Sequence, residues 1–169
     1  EAKHFVVLRE LVMAFDVGIP RLSGWEYLLL EQVLRSDGLT KLYGMNIVIE
    51  GIALTIFNTL ARFPGMEVLS LFHLDESRHT ALPVNYFKEF PRSAWQRRNP
   101  MARLDHLRLL LPALPFVFHM EKPLAVLGID PFAFGGQAVL KIAQLGERSG
   151  FLFPLPTDTI LKGINEIFN

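Results

Sequence analysis

Between Lys41 and Arg62 the chain carries one acidic or basic side chain, Glu50. A helix-length run that is apolar on every side has to be covered on every side, because a helix facing water needs a polar stripe. The fold must therefore surround this segment and also accommodate its carboxylate. An ionised carboxylate in an apolar setting costs several kcal/mol unless it is paired or coordinates a metal. No lysine or arginine on the same segment neutralises Glu50.

The flanking sequence reads as further helices. Glu1, His4, Leu8, Leu11 and Phe15 recur at steps of three and four, an amphipathic helix that ends near Gly18 and Pro20. Ser23 to about Arg35 forms a second, connecting helix stopped by Ser36-Asp37-Gly38. Phe63-Pro64-Gly65 turns the chain after the apolar segment, and a helical pattern resumes from Met66 to about Leu82. Glu50 lies 14 positions before Pro64 and Glu76 lies 12 after it, so an antiparallel pair brings both carboxylates to nearly one height. Beyond Pro83, repeated prolines cut the chain into short pieces, of which Met101 to Leu111 and Phe134 to Gln144 read as helical. The expected class is all-α, with bundle helices over residues 1–90 and an irregular helical extension over 91–169 packed on them.

Composition narrows the chemistry. With 169 residues, half of them hydrophobic, the chain can bury a substantial core. Lys plus Arg and Asp plus Glu are both 17, which gives no electrostatic footprint for nucleic acid or an anionic surface. The absence of cysteine excludes disulfides, thiolate catalysis and iron–sulfur or zinc–thiolate sites within the chain. Any metal must take oxygen and nitrogen ligands. Leu42 to Ala61 has the length of a membrane span, but Asn46, Glu50, Asn58, Thr55 and Thr59 interrupt it, and a buried soluble core is the preferred reading. The chain opens on Glu1, not Met, and shows no leader pattern ahead of its first helix; a truncated N-terminus is expected, so targeting is not read from it, and the location is taken as cytoplasmic.

Glu1-Ala-Lys-His4 and Glu76-Ser-Arg-His79 share the form Glu-x-x-His, whose two side chains project from neighbouring points of one helix face. Two such pairs can hold two metals between two helices. Four-helix di-metal proteins use one Glu from each of two helices and one Glu-x-x-His from each of the other two. The pair at Glu1, the lone Glu50 and the pair at Glu76 supply three of those four contributions in chain order. A plainer alternative makes Glu1 and Glu76 solvated helix-face charges and satisfies both histidines by local hydrogen bonds.

On Glu1-Ala-Lys-His4, Ile49-Glu50-Gly51-Ile52 and Asp75-Glu76-Ser77-Arg78-His79, the first half of the chain resembles the ferritin-like di-iron carboxylate superfamily. The style is closest to ribonucleotide reductase small subunits, the oxidases built like them, and acyl carrier protein desaturases. The resemblance implies a ferritin-like four-helix bundle with Glu1 and Glu76 bridging two metals, His4 and His79 as terminal ligands, and Glu50 as a carboxylate that changes its binding mode. It also implies a first bundle helix, with its own carboxylate, ahead of Glu1. Glu26 and Glu31 are the within-chain substitutes, but they fall in the crossover. The reductases carry a radical tyrosine four residues after the first motif's histidine, where this chain has Leu8, so no tyrosyl radical is expected. Met45 and Tyr43 do not match the crosslinking tyrosine of the ligand-binding oxidases.

The implied activity is a di-iron oxidase or oxygenase that activates dioxygen. Two iron ions are the expected cofactor, with manganese as the alternative. Dioxygen and an apolar substrate are the expected partners, with an electron donor of unspecified kind; a homodimer is compatible, and no nucleic acid or membrane span is expected. A ferroxidase or iron-storage role uses the same ligands, and a helical scaffold without metal is the non-enzymatic alternative. His73 reads as a surface or orienting histidine or as an extra ligand. Asp75 and Arg78 either orient imidazoles or form a salt bridge. His106 and His119 read as core or surface histidines, and Arg92, Arg97, Arg98 and Arg103 as a solvated helix terminus or a basic patch.

Overall fold

The computed structural model describes residues 2–16, 18, 21–95, 99–113, 115, 119–151 and 156–168. Glu1, Arg97 and Arg98, singled out above, lie outside them. The described residues form helices and no strands: α1 (Ala2–Ala14), α2 (Gly24–Arg35), α3 (Gly38–Leu60), α4 (Leu69–Glu89), α5 (Pro100–Leu110), α6 (Glu121–Val126), α7 (Pro131–Arg148) and α8 (Thr157–Phe168). The protein is all-α.

Local chemistry sets the boundaries. Ser23 opens α2 with a reciprocal capping box, its hydroxyl accepting from the Glu26 amide while the Glu26 carboxylate accepts from the Ser23 amide. Asn99 and Asp130 cap α5 and α7, each followed by proline at the first helical position. Gly65 adopts a φ of 82° in the turn between α3 and α4, a conformation that a side chain disfavours. That turn makes α3 and α4 antiparallel. Phe57 meets Phe72 near it, and Glu50 meets His79 further along.

The apolar segment is α3, and it is flanked by α4 and α7 along its second half. By length and composition α3 also meets the requirement for crossing a bilayer. Gly51 permits its close approach to α7, because a Cβ there would sit 2.7 Å from Cγ1 of Ile142. The core combines Leu29 and Val33 of α2 with Tyr43, Ile47, Val48 and Leu54 of α3, and with Leu109, Ile142, Leu145 and Phe151 from beyond residue 90. The proline-divided half is thus built into the same core. His106 belongs to it, stacked on Tyr43 with ring centroids 4.0 Å apart, while His119 is exposed.

Helix α4 runs on to Glu89, past the expected end near Leu82, and carries the buried Pro83 inside it. Proline has no amide hydrogen, so the carbonyl four residues earlier, that of His79, loses its helical donor. The Asn46 side-chain amide donates to that carbonyl at 3.1 Å. A polar side chain on α3 thereby compensates for a proline on α4. Replacing Asn46 with Ala should destabilise the protein by about 1–3 kcal/mol, the cost of leaving a buried acceptor unsatisfied. In a Pro83→Ala background, where an amide can return to the His79 carbonyl, the same replacement should cost clearly less. Chemical denaturation of the four proteins measures that coupling; equal costs in both backgrounds would refute the compensation.

Candidate metal centre

Glu76 stands between two imidazoles. Its Oε1 lies 2.9 Å from Nδ1 of His4 on α1, and its Oε2 lies 2.7 Å from Nδ1 of His79 one turn along α4. The same His79 nitrogen lies 3.3 Å from Oε1 of Glu50 on α3. Donor atoms of Glu50, Glu76 and His79 all fall within 4.8 Å of one another. Three helices therefore converge on one carboxylate. Glu76 is the most buried of the four residues, its side chain 6% exposed against 14% for Glu50.

Each position follows from local structure. The i, i+3 spacing of Glu76 and His79 puts both on the α4 face that meets α3. Just before Glu50, residues Gly44–Ile49 form a π-helical stretch, a wider turn than the α-helix and one frequent at functional sites. Asn46 within it reaches the His79 carbonyl, while Glu50 at its end reaches the imidazole of the same residue. On α1, the His4 ring lies against Phe72, with centroids 4.5 Å apart, and its Nε2 lies 3.3 Å from Oδ2 of Asp75. The other Asp75 oxygen accepts from Arg78 at 2.9 Å. Asp75 accordingly plays both anticipated parts, orienting an imidazole and pairing with Arg78. A carboxylate on the far nitrogen of an imidazole is the usual way a metal-binding histidine is held in one orientation.

Chemically, the set of donors suits a hard or borderline transition metal. Two ligand atoms held about 2.1 Å from one ion at right angles stand about 3 Å apart, and the separations here run from 2.7 to 3.3 Å. Glu76 Oε2 is also buried without an aligned hydrogen-bond donor, despite its closeness to His79. A buried carboxylate oxygen without a donor is costly, and a cation would satisfy it. The residues present therefore fit a metal, with one Glu76 oxygen directed to each histidine.

Compared with models of known families, with curated proteins and with solved structures, the chain matches none.

Of the residues the sequence singled out, the structure brings His4, Glu50, Glu76 and His79 together. Glu1 lies outside the described residues. His73 points elsewhere on α4, lining a cavity with Leu54 and Lys141. Burial, and secondarily the Lys141 charge, lowers its pKa below the usual histidine value. Its place beside a cation separates it from the carboxylate group. Asn46 was legible only as a polar break in an apolar run, since its role depends on the carbonyl released by Pro83 across the helix pair.

Proposed function

We propose that the protein is a ferritin-like di-iron carboxylate oxidase or oxygenase that activates dioxygen. The observation that carries this reading is the Glu76 carboxylate, buried between His4 and His79 with one oxygen toward each and Glu50 alongside. That arrangement matches the bridging role the Glu-x-x-His pattern implies for Glu76 and terminal roles for the two histidines. Glu50, on a different helix and outside a Glu-x-x-His motif, takes the mobile role.

In this reading the bound iron pair supplies electrons to dioxygen, and the protein supplies position and enclosure. Glu76 fixes the spacing between the two histidine positions. Asp75 holds the His4 ring through Nε2. Asn46 ties the His79 backbone to α3, so that the imidazole and Glu50 keep their register. Ile47, Val48 and Leu54, buried on the same helix as Glu50, limit the approach of water. An apolar surround of this kind favours an apolar substrate.

Exposure of the ferrous-loaded protein to air tests the function. Dioxygen should be consumed in proportion to bound iron, and no stable tyrosyl radical should appear in electron spin resonance, since Leu8 occupies the reductase radical position. Iron-loaded protein that consumes no dioxygen beyond a buffer control would contradict the oxidase reading, and a persistent tyrosyl signal would contradict the separation from the reductases.

A further inference from the structure

A second polar cavity, of about 420 Å³, lies between α4 and α7 and includes none of the four clustered residues. Its charged walls are Lys88 of α4 with Lys141 and Arg148 of α7, and no acidic residue among the described ones lines it. In a chain with equal numbers of acids and bases, three cations without a counter-charge are a local segregation that favours an anion. Among the described residues none of the three is engaged in an ion pair. The Ser149 hydroxyl at the same cavity is buried without a hydrogen-bond partner. The spacing is helical on both sides. Ser77, Ala81, Val84 and Lys88 form the α4 wall, and Lys141, Leu145 and Arg148 the α7 wall.

The cavity shares Leu54, His73 and Lys141 with a smaller neighbouring one of about 160 Å³. The polar walls of the smaller cavity are Thr55, Asn58, Gln137 and Gln144 beside the shared His73 and Lys141. Lys88 and Arg148 line only the larger cavity and Asn58, Gln137 and Gln144 only the smaller, with Lys141 between them. The larger cavity alone is within the size range of small-molecule sites, about 300–1,000 Å³.

We propose that the groove between α4 and α7 binds a small phosphorylated molecule, with its phosphate among Lys88, Lys141 and Arg148 and its uncharged polar body along Asn58, Gln137 and Gln144. A phosphate meets three cations better than a single carboxylate does, because it carries more charge and more acceptor oxygens. The site does not rest on the metal reading, since none of Glu50, Glu76 and His79 lines either cavity.

Calorimetric titration of the full chain, treated with chelator so that phosphate cannot register through iron, tests the groove. The probes are ribose 5-phosphate, ribose, inorganic phosphate and sulfate. Ribose 5-phosphate should bind saturably and more tightly than sulfate, and ribose should not bind. Lys141→Gln should weaken ribose 5-phosphate by about tenfold or more, as loss of a charge-assisted contact does. Gln144→Ala should weaken ribose 5-phosphate while leaving inorganic phosphate unchanged. Lys88→Gln, at an exposed position, supplies a second charge variant should Lys141→Gln impair folding, which thermal unfolding without ligand would reveal. Unchanged affinity in the folded charge variants, or no saturable binding by ribose 5-phosphate, overturns the proposal. Ribose 5-phosphate and sulfate binding equally would mean an adventitious ion only, and would overturn it as well.

Discussion

Replacing Glu50 with Gln is expected to reduce retained iron from about two ions per chain to one or none, while the metal-free protein unfolds at the same temperature or a higher one. The reason lies in the two carboxylates that share His79. Glu50 Oε1 and Glu76 Oε2 approach one imidazole nitrogen from different helices, at 3.3 and 2.7 Å. A single ring nitrogen cannot donate well to both. Without metal, two carboxylates stand against the same imidazole nitrogen in a setting of low solvent exposure, where like charges repel. Gln preserves the shape, removes one charge and brings amide hydrogens. A structural reading of the same contacts requires the opposite result. If Glu50 mainly serves to pair a protonated His79, the substitution removes that pairing and should destabilise the metal-free protein, by less than the loss of a fully buried pair would because the His79 side chain is 38% exposed. Thermal unfolding of chelator-treated wild-type and Glu50→Gln proteins, with iron content measured on loaded samples, separates the two. A strongly destabilised variant with unchanged iron would remove Glu50 from the ligand set.

The sequence made the helices and their pairing legible because those features depend on local pattern. The apolar run around Glu50 and the turn at Pro64-Gly65 are enough to make α3 and α4 antiparallel and to bring Glu50 near Glu76. The Glu-x-x-His spacing places His79 beside Glu76 for the same local reason. Features that depend on contacts across the fold were not legible. Helix α4 continues through Pro83 because Asn46, on another helix, supplies the donor that proline removes. The widened turn at Gly44–Ile49 has no single-residue signature, although Gly44 fits the close contact it makes there, where a Cβ would meet Val33 at 2.8 Å. The sequence drew attention to Glu50 as the buried carboxylate, whereas Glu76 is the more buried of the two. A residue among Asp75, Ser77 and Arg78 reads as part of a polar surface, and only the packing of α1 and α3 on either side encloses it. The prolines after Pro83 suggested an irregular extension packed on the bundle, and Leu109, Ile142 and Leu145 contribute to the core shared with α2 and α3. Capped short helices can pack as well as long ones once each starts with its proline in the first turn.

The central claim is that Glu76 holds two metal positions, one toward each histidine. Its most direct test is anaerobic loading of the full chain with ferrous iron, removal of unbound metal, oxidation, and Mössbauer spectroscopy together with elemental analysis. About two iron ions per chain are expected, with their spins coupled as a pair. Protein that retains no iron, or that holds single uncoupled ferric ions, would contradict it.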